Sequence, residues 1–253
     1  MRVIVRRLRA VLAGYHMSFD EAAVADARDR LKLLGSVLGT ARDLEVRASA
    51  AEAVFVQLDE NVDIAAARER VVEGSWTEFA AARDRVIAYL DGDAYVRLAA
   101  ALIDLLKTGL DAPTTSSKQL IVHELKRTRK RIRRLKAQEP GTVAEFGALH
   151  EARKSARRLR YVAESIAANL KKHQSRYLTV AAAAEIVQDT LGDHRDRILL
   201  AEFLLFESKR AHAASEDTFA LGAAHQENLR SAADARAASK HAIKGLTRTG
   251  RDW

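Results

Sequence analysis

The sequence predicts an all-α protein built from two related halves, and three observations carry that prediction. Apolar residues recur at three- and four-residue steps from end to end, without the sustained two-residue alternation of a half-buried strand. Proline occurs only twice and aromatics make up 6% of the residues, against a large share of alanine, a balance that suits packed helices rather than sheets. Two motifs also recur in one order at nearly one spacing, the mark of a duplicated helical unit. Arg2 to Arg9 and Arg153 to Arg160 share R-x-x-x-R-R-L-R at an offset of 151, while Leu38 to Asp43 and Leu191 to Asp196 share L-G-x-x-R-D at an offset of 153.

In chain order, the periodicity predicts helices near residues 2–16, 20–37, 43–58, 63–74, 76–91, 93–109, 118–137, 143–171, 174–190 and 195–211, with a last one around 215–243. Asp20 is placed to cap the second, with Ala23 at its third position. Gly39 and Gly192 are expected to end helices, and Pro140-Gly141 to force a turn. The stretch Asp111 to Ser117 joins a helix breaker, Pro113, to small polar residues and is the best linker, dividing the chain into a first half, 1–112, and a second, 113–253. Gly245 to Trp253 is polar enough that it is expected to fray.

Charge narrows the function. The formal net charge is +8, and the segment Lys118 to Arg160 alone carries 14 Lys and Arg against four Glu, so the positive field is local and the rest of the chain is slightly acidic. There are no cysteines, which removes disulfides, thiolate metal sites and cysteine catalysis, and makes a reducing, cytoplasmic compartment the natural expectation. No run of about 20 apolar residues is present to cross a membrane. The opening Met1 to Arg7 breaks into arginines before a signal-peptide core could form.

Three helices concentrate the bases. Around His150, the residues Leu149, Ala152, Ala156, Leu159, Val162, Ala163 and Ile166 share a core face, while His150, Arg153, Lys154, Arg157, Arg158 and Arg160 fill the other side. The first helix repeats the design, with Ile4, Val5, Leu8, Val11, Leu12 and Tyr15 opposite Arg2, Arg6, Arg7 and Arg9. In the third, a narrow stripe of Ile121, Leu125, Ile132 and Leu135 leaves His123, Arg127, Lys130, Arg131 and Arg134 along one edge. That helix packs eight Lys and Arg into residues 126–136, and like charges at i and i+4 oppose helix formation, so an anion is expected to compensate them. Long basic side chains often simply coat a helix in solvent. Here the faces lack alternating acids, favour arginine over lysine and occur twice. Arginine keeps its charge at any physiological pH, and its planar fork of donors suits phosphate oxygens.

The segment His150 to Tyr161 reproduces H-x-x-R-x-x-x-R-R-L-R-Y and so resembles the CHAD family, named for a histidine-containing α-helical domain. Gly39 to Asp43 and Gly192 to Asp196 are similar to the family's G-x-x-R-D element, and Leu90 to Tyr95 resembles the turn before its mid-chain linker. The resemblance implies two pseudo-symmetric four-helix bundles flanking a basic cavity or pore that binds inorganic polyphosphate without hydrolysing it, and association with polyphosphate or storage granules as in some relatives. By motif, Arg2, Arg6, Arg7 and Arg9 pair with Arg153, Arg157, Arg158 and Arg160. The first-half histidine of the pattern would fall two positions before Met1, so either the start is shortened or that contact is absent.

The expected ligand is therefore inorganic polyphosphate or another polyanion, with nucleic acid as the alternative. Single-strand binders usually supply stacking aromatics, and Tyr161 is the only one near the second motif. No catalytic residue is assigned, because phosphate transfer needs metal-holding carboxylates or a nucleophile beside the anion, and Glu124 and Glu151 are single acids among bases. Asp189, Asp193, His194 and Asp196 are expected to cap and pair rather than hold a metal, and no cofactor is called for. His150 is assigned to anion contact. Arg42 and Arg195 are included in the anion site, although each equally suits pairing with Asp43 or Asp196 or with helix-end carbonyls. An adaptor role predicts instead a protein partner bound at unchanged strength in high salt.

Overall fold

The computed structural model describes residues 1–14, 19–108, 116–139, 141–170, 172–250 and 253, and among them every regular element is helical. In order these are α1 (Arg2–Gly14), α2 (Glu21–Val56), α3 (Ala65–Arg68), a π-helical turn (Glu69–Glu73), α4 (Gly74–Asp91), α5 (Asp93–Thr108), α6 (Ser117–Lys136), α7 (Val143–Ala168), α8 (Gln174–Ala213) and α9 (Phe219–Thr249). Tyr15, Pro140 and most of the expected linker lie outside the described residues.

The starts of the helices follow local chemistry. Asp20 accepts a hydrogen bond from the Ala23 amide at 2.7 Å, as its spacing predicts. Ser116 and Gln119 form a reciprocal capping box at the head of α6, and Thr142 accepts from the Glu145 amide to cap α7. Gly141, one residue earlier, has φ of +79°, a conformation that favours glycine.

Two glycines do not act as expected. Gly39 lies inside α2 and Gly192 inside α8, so each pair of helices read from the sequence is one continuous helix. A glycine costs a helix interior only about 1 kcal/mol, which the burial of a long helix's apolar face outweighs. The expected break near Ser75 is likewise absent; helical structure passes through the π turn, where the adjacent Val71 and Val72 are both fully buried.

The chain forms two compact units, and each draws on both sides of residue 112. Packing thus divides the chain differently from the sequence repeat. The first unit comprises Met1–Ser36, Tyr89–Gly192 and Ala238–Trp253; the second comprises Val37–Ala88 and Asp193–Ala237. In the first, α7 packs against both α1 and α6. Its predicted face, from Leu149 to Ile166, is buried as expected, together with Ile121, Leu125, Ile132 and Leu135 of α6. Thr128 and Ser155, both buried, join α6 to α7 through a hydroxyl–hydroxyl bond of 2.9 Å. On α1, Val5 and Leu12 are buried, but Ile4 is 63% exposed and departs from its predicted core role.

The C-terminal segment also departs from expectation. Ile243 and Leu246 belong to the first unit's core, and the Trp253 ring meets Tyr177 edge-on at 4.8 Å with the Arg176 guanidinium 4.0 Å above it. A count of polar residues obscures this, because the packing uses only every third or fourth position. The second unit closes around Phe55, Val71, Val72, Leu204 and Leu221.

Candidate functional site: an arginine-lined pocket

The first unit holds a pocket of about 290 Å³ to which α1, α2, α6 and α7 all contribute. Its cations are Arg6 and Arg9 from α1, Arg28 from α2, Arg127 and Arg131 from α6, and Lys154, Arg157 and Arg158 from α7. Glu151 is the single acid among the described residues of the lining. The same amphipathicity that buries one side of α1, α6 and α7 aims their opposite sides at one hollow. Arg6 and Arg157, equivalent in the repeat, therefore face the same space.

The electrostatic consequence is largest at Arg157. Burial, reinforced by the charges of Arg6, Arg153 and Arg9, pushes its guanidinium down to about 10. Arg9 is lowered too, by burial and then by Arg28 and Arg6. Arg158 is lowered by burial against the opposing pull of Glu124, which is fully buried and lies 2.6 Å from its Nη2. The same guanidinium donates to the Ala13 carbonyl at 3.2 Å, which fixes Arg158 between α6 and α1. Glu151 is held below the usual carboxylate range by the hydrogen bond from Lys154 at 3.0 Å, aided by Arg131 and His150. Lys154 and Arg131 thus share one partner.

Other predicted residues have structural engagements. Glu164 accepts from Arg7 at 2.7 Å and from Arg160 at 2.8 Å, and both guanidinium groups lie within 6 Å of the Tyr161 ring centre. Arg160 also pairs with Glu185 at 2.7 Å. These two arginines fasten α1, α7 and α8 together. Arg153 lies over Gly192, where a Cβ would come within 2.9 Å of its Nη2; this glycine leaves room for an arginine rather than ending a helix. His150 is half-buried and outside the pocket lining, as is Arg2. His123, Lys130 and Arg134 are exposed on α6 and do not line it either. Arg42 and Arg195 belong to the second unit, where they pair with Glu45 at 2.7 Å and Asp196 at 3.3 Å.

Arg28 is the lining residue that sequence reasoning missed. It sits among Asp26, Asp29 and Arg30, so it reads as part of a mixed-charge solvent face. Among the described residues, no three His, Cys, Asp or Glu side chains converge to hold a metal, and buried His194 is engaged at Nδ1 with the Ala232 carbonyl at 2.9 Å. No helix there is long and apolar enough to cross a membrane.

Among the described residues of this helical unit, eight cationic side chains and one acid surround the hollow, an arrangement whose chemistry suits an anion with many oxygens. The chain belongs to the CHAD domain family, whose pattern matches residues 1–205. Two uncharacterized proteins, from two strains of Mycobacterium tuberculosis, are each 30% identical over 255 aligned residues, which cover 99% of this chain and 48% of theirs. The chain thus spans about half the length of these curated relatives. Among solved structures, PptA from Streptomyces chartreusis shares the fold, with a TM-score of 0.76 at 19% identity over 96% of this chain and 87% of that one.

Proposed function

We propose that this chain binds inorganic polyphosphate, without hydrolysing it, in the arginine-lined pocket of the first unit. The observation that carries the reading is the convergence of half-buried Arg157 with Arg6 and six further cations on a hollow whose described lining holds one acid. Unliganded, that arrangement is electrostatically costly. A chain of phosphates would supply the missing counter-charge through charge-assisted hydrogen bonds, and binding would release its condensed counterions.

Membership of the CHAD family supports polyphosphate over other polyanions, since the sequence resemblance implies that ligand. The opposition of Arg6 to Arg157 is what two pseudo-symmetric helical halves would produce at a shared site. Tyr161, the aromatic of the described lining, is only 3% exposed and offers nucleobases no open face to stack on. Among the described residues the lining supplies neither a nucleophile with its base nor a pair of metal-holding carboxylates, which favours binding over turnover. A place in the cytoplasm, or on polyphosphate granules, accords with this role.

Competition binding with long-chain polyphosphate, single-stranded DNA and duplex DNA tests the assignment. Displacement by polyphosphate at concentrations far below those of either DNA is expected; equal displacement by all three overturns it. Phosphate released from polyphosphate by the purified protein would contradict the non-catalytic reading.

A further inference from the structure

The pocket accounts for only part of the charge on α6. Of the eight bases in residues 126–136, Arg127 and Arg131 line it. Four others, Lys126, Arg129, Arg133 and Lys136, line a second hollow of about 570 Å³ on a different side of the same helix, closed by Ile132 and by Thr247 of α9. Among the described residues no acid lines this hollow, and none of its four bases forms an ion pair.

Its wall is a built contact. Arg129 donates to the Gly250 carbonyl, and a Cβ on Gly250 would fall 2.7 Å from the Arg129 Nη2, so the end of α9 is seated closely on α6. The C-terminal segment thereby forms one side of a basic groove. Lys130 and Arg134 are exposed, and at 100° per residue they fall between the two sets of bases, which makes the cationic arc continuous around α6. On a helix about 10–12 Å across, that arc spans roughly 20 Å.

We infer that the outer face of α6 and the end of α9 form a second polyanion-binding groove, continuous with the arginine-lined pocket, so that one long phosphate chain occupies both. This rests on the proposed polyphosphate reading and adds a dependence on chain length. A chain held in the pocket presents its next phosphates to the groove at high effective concentration, whereas a chain too short to span the arc gains nothing.

The test compares tripolyphosphate with long-chain polyphosphate, by titration calorimetry at low salt, on the full chain and on the R133A/K136A variant. Both residues are exposed, and R133K/K136R keeps the charge as a check on packing. The R83A/R85A variant removes two exposed bases from the second unit as a control for net charge. For R133A/K136A, long-chain affinity should fall about tenfold with a shallower salt dependence, while tripolyphosphate affinity stays the same. R133K/K136R should restore it, and the control should have little effect. Equal loss for both lengths, an equal effect of the control, or no change in R133A/K136A would each overturn the groove. The last result, with wild-type binding intact, would leave the pocket reading standing; absence of polyphosphate binding by the wild type would remove that reading itself.

Discussion

Replacing Arg157 with methionine should make the unliganded protein more stable and the liganded protein less so. Burial and the like charges of Arg6, Arg153 and Arg9 set the size of the effect. Each tenfold change in acidity is worth about 1.4 kcal/mol, so the fall from arginine's ordinary value to about 10 amounts to roughly 3 kcal/mol. Water in the open pocket screens part of this, leaving about 1–2 kcal/mol. Methionine retains most of the apolar stem, and its imperfect fit gives back under about 1 kcal/mol. The native state binds this proton less tightly than the unfolded chain does. The penalty is therefore complete at neutral pH and fades only as pH climbs through about 10. A net gain of about 1 kcal/mol corresponds to a rise in Tm of about 2–4 °C for a chain of this size. With polyphosphate present the order should invert, because the variant lacks a charged hydrogen bond worth about 1.5–3 kcal/mol. Thermal denaturation at pH 7 in low salt, with and without polyphosphate, reads both effects. A variant that melts below wild type without ligand and gains equally from it would refute the reasoning.

Three further outcomes follow from the same contacts. Glu124→Gln removes the buried counter-charge of Arg158 and should cost about 3 kcal/mol in urea denaturation while loosening polyphosphate binding; retention of full stability would show the pair to be dispensable. Glu151→Gln deletes the one acid among the pocket's described residues and should tighten polyphosphate about two- to threefold. Since the Glu151 carboxyl is depressed, its stabilising contribution is present above the ordinary carboxylate range and lost as pH falls through the lowered value, so the variant should also flatten the acid limb of the stability profile. Trp253→Ala removes the Tyr177 edge contact and the Arg176 stacking and should lower stability by about 1–2 kcal/mol, whereas a frayed terminus would show no change.

The parts of the site legible in the sequence were those governed by helical periodicity. The burial of Leu149 to Ile166 fixes where Arg157 points, and the R-x-x-x-R-R-L-R repeat announces that Arg6 points likewise. Pairing across long sequence separations was not legible. Arg7 and Glu164 are 157 positions apart, and nothing in either neighbourhood marks them as partners. Arg28 was hidden by adjacent aspartates. The role of Gly192 was misread because a glycine that ends a helix and one that admits a guanidinium look alike until the neighbouring helix is placed. Glu124 gave a fainter signal: it falls beside Ile121, Leu125 and Thr128 on the buried stripe of α6, so its position announces a buried carboxylate in need of an arginine.

The central claim is best tested by a crystal soaked with a short polyphosphate. Phosphate oxygens should lie within hydrogen-bond distance of Arg6, Arg131 and Arg157, between α1, α6 and α7. Phosphate bound elsewhere on the protein, with this pocket empty, would contradict it.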